Sequence, residues 1–154
     1  LFKIMKTIIW ISILLFLTQC GYTALYKNNT NQNIKILSVD MSGDDDMNNL
    51  IKTELKNYFN TDSSSEYNLK INTNYQKEIN TKDATGKPLE FRLELITNVN
   101  INFGDENIEA IFNESFNIAN SSDTFELRKY ENTIKRNFAK LTKDKIILKL
   151  TSLK

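Results

Sequence analysis

Leu89, Phe91, Leu93, Leu95, Val99, Ile101 and Phe103 all fall on odd positions, while Glu90, Arg92, Glu94, Asn98, Asn100 and Asn102 fall on even ones. Alternation of period two over this length predicts a long β-strand with one buried face and one face toward water or a polar partner. Tyr67, Leu69, Ile71, Thr73 and Tyr75 predict a shorter strand before it by the same rule. Ala110, Phe112, Phe116 and Ile118 predict another on the even register, after the turn signal Gly104-Asp105-Glu106-Asn107. Upstream, the short apolar-rich run Ile34 to Val39 reads as a further strand.

The remaining periodicity is helical. Leu50, Ile51, Leu55, Tyr58 and Phe59 recur at spacings of three and four, behind a start marked by Gly43 and Asp44-Asp45-Asp46. Acidic residues in a first turn complement its exposed N–H groups and the positive end of the helix dipole. The Asp run also loosely resembles a calcium loop, but it has no central Gly, and Leu55 stands where a bidentate Glu is needed. Asp123 followed by Glu126 fits a capping box, and the stripe Leu127, Tyr130, Ile134, Phe138, Leu141 and Leu148 predicts a helix almost to the end of the chain. The order is β-α-β-β-β-α. Each element has one apolar face, so the expected fold is an α/β (α+β) two-layer sandwich, a four-stranded mixed sheet with two helices on one face.

At 154 residues one compact domain with its own core is expected, assigned to residues 34–154. What precedes it reads differently. Lys6 and the apolar run Thr7 to Leu17 form the charged start and core of a signal peptide, with Met5 the natural start rather than Leu1. Eleven residues rise only ~17 Å as a helix, too short for a ~30 Å hydrocarbon core. Residues 1–19 are therefore read as a signal peptide and the polar, Asn-rich stretch 20–33 as a tether. Between them stands Leu17-Thr18-Gln19-Cys20-Gly21, which resembles a bacterial lipobox, although Gln19 occupies a position usually held by a small residue. In such motifs the Cys becomes a lipid-bearing N-terminus, so Cys20 is the expected lipid attachment site. Several acyl chains on one residue anchor stably, where one chain alone is marginal. Gly21 in place of Asp points to the outer membrane.

Composition narrows the chemistry. The chain has no His and a single Cys, which excludes Ser-His-Asp and Cys-His catalysis, an internal disulfide, and most zinc sites. No glycine-rich phosphate loop is present, no cofactor or metal is expected, and a net charge of +1 argues against a nucleic-acid binder. Charge is unevenly spread. Phe125 to Lys154 carries nine basic and three acidic side chains, whereas Cys20 to Thr124 carries nine basic and sixteen acidic ones. A basic helix of this kind is ordinarily a solvated face. The alternative is contact with phosphates of a lipid or glycolipid, through groups such as Lys135, Arg136 and Lys140. The loop Asn80 to Lys87, with Lys82, Lys87 and nearby Arg92, offers the same two readings.

Cys20-Gly21-Tyr22-Thr23-Ala24-Leu25-Tyr26 resembles the start of mature lipopolysaccharide-assembly lipoproteins, the LptE family, especially its alphaproteobacterial members, with Ala24 at a position where Pro is usual. The helix ending near Tyr58-Phe59, the strand from Tyr67-Asn68-Leu69 and the Ser121-Ser122-Asp123 lead into a long last helix match as well, so the resemblance spans the mature chain. It implies an outer-membrane lipoprotein that plugs and helps assemble the LptD β-barrel and contacts lipopolysaccharide, without enzymatic activity. The family's contact residues do not map onto single positions; Lys82, Lys87, Arg92 and Lys135 are chosen from charge and placement. The alternative is a lipid-anchored periplasmic accessory protein of another envelope or transporter complex.

Overall fold

A computed structural model describes residues 34–153. The signal-peptide segment 1–19, Cys20 and the tether 20–33 lie outside the described residues. The elements follow as β1 (Lys35–Gly43), α1 (Asp45–Leu55) with a 3-10 turn at Lys56–Tyr58, β2 (Glu66–Lys82), β3 (Pro88–Phe103), β4 (Glu106–Ala119) and α2 (Thr124–Thr151). The strands form one sheet in the order β1-β2-β3-β4, with β1 parallel to β2 and the other pairs antiparallel. The parallel pair requires a crossover, which α1 supplies. The expected order and the two-layer α+β architecture are both present.

Local chemistry explains the element starts. Asp44 is extended, and its carboxylate accepts from the Met47 N–H at 2.8 Å, so the acidic run caps α1. Asp123 does the same for α2, accepting from Phe125 and Glu126 N–H. Gly43 ends β1 at φ 97°, and a Cβ there would lie 1.8 Å from the Thr73 carbonyl oxygen of β2. The close approach lets the Asp44 N–H bond that carbonyl at 3.1 Å as the chain turns into α1.

The core lies between the sheet and the two helices. Ile34 and Ile36, Met47 and Ile51, and Leu69, Ile71, Leu93, Leu95 and Ile101 are all buried there. Tyr67 is buried too, stacked on Phe103 and donating its hydroxyl to the Leu150 carbonyl at 3.1 Å. Polar groups interrupt the layer. Thr73 donates to the Asn48 side chain of α1 at 2.9 Å, and Thr97 and Thr142 are fully buried.

Three expectations from the pattern change. β2 continues seven residues past Tyr75, through a stretch that is mostly exposed; its pairing with β3, Lys77 with Leu93 and Ile79 with Phe91, holds it extended where burial does not. Leu89 at the far end of β3 is exposed, because a 16-residue strand of about 50 Å outruns both the 11-residue α1 of about 17 Å and the 28-residue α2 of about 42 Å. The apolar stripe of α2 is also rotated. Ile134 and Phe138 are buried as expected, but Tyr130, Leu141 and Leu148 are exposed, and Ala139, Thr142, Ile146 and Leu150 take their place. The helix packs on α1 as well as on the sheet, so its buried arc is turned toward α1.

Candidate functional site

The long β2–β3 hairpin ends in a tight turn built on Asp83. Its carboxylate accepts from the Thr85 N–H (2.8 Å), the Thr85 hydroxyl (2.6 Å) and the Lys87 N–H (2.9 Å). The bonds from Thr85 and Lys87 hold this carboxyl below the usual range. Gly86 takes φ 86°, as the turn requires. The result is an ordered tip on which Lys82 and Lys87 are both exposed.

The other two candidate cations stand elsewhere. Arg92 faces the open side of the sheet, opposite Glu78 and Asn117, with its guanidinium 3.8 Å from Glu94. Lys135 lies on the helix side, 4.5 Å above the Tyr75 ring and 3.4 Å from Asp46 of α1. Its side chain is only 14% exposed. The four residues therefore do not form one cluster. Period-two alternation sends Arg92 to the face opposite α2, and Lys135 is held by its own partners. Only Lys82 and Lys87 share a site. Arg136 and Lys140 are exposed on α2, where Phe125, Arg128, Lys129 and Arg136 line an outward groove.

Lys135 belongs to a network the sequence pattern did not point to. Tyr75 donates to Glu131 at 2.9 Å, and Lys77 donates to the other Glu131 oxygen at 2.7 Å while lying 4.8 Å over the Phe91 ring. Burial pulls the Glu131 carboxyl up, but the bonds from Lys77 and Tyr75 and the nearby lysine charges outweigh it, and the group sits below its ordinary value. Burial, then the bond to Glu131, push the Tyr75 hydroxyl far up. These groups are mutually satisfied and tie β2 to α2, a structural arrangement rather than a free site.

The open face of the sheet spans all four strands. Asn68 pairs with Asn102, Asn72 with Asn98, Asn102 with Asn107, Asn100 with Glu109 and Asn113 with Ile96. Ser38 bonds Asn68 at 2.7 Å, Asn72 bonds Ser42 at 2.9 Å and Asn113 bonds Glu94 at 2.9 Å. A shallow hollow of ≈ 250 Å³ opens among Asp40, Ser42, Lys70, Asn72, Asn98 and Asn100. Carboxamides both donate and accept, and Asp40, Lys70, Arg92, Glu94 and Glu109 stand among them, so this face can meet a polar surface that offers donors, acceptors and charges of either sign. Its asparagines were legible as the even positions of β2 and β3; their alignment into cross-strand rows needed the register.

Among the described residues no group of three or more His, Cys, Asp or Glu side chains is placed to hold a metal ion, and no helix is long and apolar enough to cross a membrane. No protein-family model matches the chain, and no curated protein sequence matches it. Solved structures do. Rare lipoprotein B from Shewanella oneidensis is similar over 75% of this chain and 95% of its own, with a TM-score of 0.57 at 14% identity. Lipoprotein B from Nitrosomonas europaea is similar over 79% of this chain and 86% of its own, with a TM-score of 0.54 at 9% identity. The chain shares the fold of these lipoproteins.

Proposed function

We propose that this chain is an outer-membrane lipoprotein, lipidated on Cys20, that plugs an LptD-type β-barrel and takes part in moving lipopolysaccharide to the cell surface. The observation that carries the reading is the open sheet face, four strands wide and lined with asparagines. A face with so little apolar area gains little by packing on a second hydrophobic layer, and it suits the polar interior of a large barrel. The lipobox-like run Leu17 to Gly21 and the fold shared with lipoproteins support the same reading. In it the acyl chains on Cys20 hold the domain at the membrane, and the tether keeps the plug's local concentration high. Lys82 and Lys87, at the end of a stiff hairpin, are the groups to meet glycolipid phosphates.

The test is a pull-down of the C-terminally tagged full chain from detergent-solubilised outer membrane, with mass spectrometry of what accompanies it. A single large β-barrel at one-to-one stoichiometry is expected. Recovery of inner-membrane transporter subunits instead would favour an accessory role in another envelope complex. A Cys20→Ser chain run beside it is expected to accumulate as an unlipidated, larger precursor, and normal processing of that variant would remove the anchor from the proposal.

A further inference from the structure

β4 is an edge strand of 14 residues, and the direction of its outer backbone groups follows from its hydrogen bonds. The Asn120 N–H bonds the Leu89 carbonyl of β3 at 2.7 Å, so even positions of this segment point their backbone groups inward. By the alternation of an antiparallel ladder, Asn107, Glu109, Ile111, Asn113, Ser115 and Asn117 direct N–H and C=O away from the sheet. The Asn113 carbonyl shows this directly, because Lys145 of α2 reaches it from outside the ladder at 3.4 Å. Natural edges are usually blunted by shortness, a bulge, a Pro or a Lys on the strand. β1, the other edge, has nine residues and a register shift between Ile36 and Ser38. β4 has no Pro, no Lys or Arg, and an unbroken register with β3.

A second observation lies on α2. Tyr130 meets Phe116 of β4, and Lys145 pairs with Glu114 of β4, which marks the flank of α2 that faces this edge. Leu141 and Leu148 stand four residues before and three after Lys145, on the same flank, and are 47% and 72% exposed. Phe112 of β4, on the helix side, is only half buried. The helix layer thus extends past the last strand, and an added strand would cover these side chains as it satisfied the outward backbone groups.

We propose that the β4 edge binds an extended segment of a partner protein by strand addition, the segment alternating apolar residues toward α2 with Lys or Arg on the open side. Charge selects this occupant. On the open side the two strands at this edge carry Glu109 of β4 and Glu90 and Glu94 of β3 against Arg92 alone, Glu114 being already paired with Lys145 on the helix side, so a strand with cations on its open side complements the edge, whereas the edge of a second copy brings the same acidic groups. Main-chain bonds supply affinity in such an arrangement, and alternate side chains supply selectivity. The proposal stands on the edge itself and does not depend on the barrel reading, which uses the open face.

The experiment uses the full chain in detergent and two fluorescent synthetic octapeptides, one alternating Lys and Val, the other Glu and Val. The Lys-Val peptide is expected to bind at least about tenfold more tightly by anisotropy. Asn113→Pro removes one outward N–H and the exposed side-chain bond to Glu94 but no backbone ladder bond to β3, and is expected to weaken that binding about tenfold or more at unchanged circular dichroism, with Asn113→Ala, which loses only the side-chain bond, binding as the parent does. Independently of any variant, hydrogen exchange at Glu109, Ile111 and Asn113 is expected to slow when the peptide is added. Equal binding of both peptides, no binding, or no protection at these amides would overturn the proposal. So would a dimer by light scattering that Asn113→Pro dissolves, which would assign the edge to a second copy.

Discussion

Tyr75 and Glu131, 56 residues apart in the chain, are joined by a 2.9 Å hydrogen bond that ties the middle of the longest strand to the second turn of the long helix. Glu131 also receives Lys77, and Lys135 lies over the Tyr75 ring, so one carboxylate organises two cations and a phenol. Sequence-level charge placed Lys135 among phosphate contacts; the network gives it a role in holding β2, α1 and α2 together.

The network makes stability depend on pH at both ends. Glu131 titrates below its ordinary 4.5 in the folded protein, so its contribution is present above about pH 4.5 and is lost as pH falls through the lower folded value. Tyr75 titrates above its ordinary 10.0, so its contribution is present below that pH and is lost as pH rises beyond it. Urea unfolding across the acid limb should therefore show a shallower pH dependence for Glu131→Gln than for the parent chain. Tyr75→Phe should flatten the alkaline limb and cost about 1 kcal/mol at neutral pH.

Gly43→Ala is expected to be among the most damaging single-methyl changes. The new Cβ would collide with the Thr73 carbonyl, a backbone atom of the neighbouring strand β2, and the residue would keep a positive φ. A loss of at least about 2 kcal/mol is expected from the midpoint of chemical unfolding. Gly86→Ala, whose Cβ would meet nothing within 4 Å, carries only the φ penalty and should lose about 1 kcal/mol.

Thr97→Val should stabilise. The side chain is fully buried between the sheet and the helices, and its hydroxyl has no hydrogen-bond partner among the described residues. Val has nearly the same shape, suits a strand and leaves no polar atom behind, so a gain of about 1 kcal/mol is expected, read as a raised unfolding midpoint.

The lysines separate into two kinds. Lys82→Gln with Lys87→Gln should weaken binding to lipopolysaccharide micelles and its salt dependence while leaving the thermal midpoint in place, since both residues are exposed. Lys135→Gln should lower the midpoint, by about 1 kcal/mol of stability, through loss of the contact with Tyr75 and of the Asp46 pair. A binding loss confined to Lys135→Gln would reverse the assignment of the two roles.

Element identity and order could be read from the chain because each element carries its own period. The odd positions of β2 and β3, the even positions of β4 and the Asp caps at Asp44 and Asp123 are local signals, set by alternation of side chains along a strand and by unpaired N–H groups at a helix start. The hairpin tip with Lys82 and Lys87 was equally local, since Asp83, Gly86 and Pro88 define a turn by themselves. Tertiary structure decided what depends on a neighbour. Pairing with β3 extended β2 beyond its apolar run, because backbone hydrogen bonds do not need an alternating pattern. Packing on α1 rotated the buried arc of α2, which exposed Leu141 and Leu148 beside an open edge. Register aligned the asparagines into rows, and burial against Tyr75 took Lys135 out of solvent. Periodicity reports which face of an element is apolar; only the assembled layers determine which of those faces is covered, and by what.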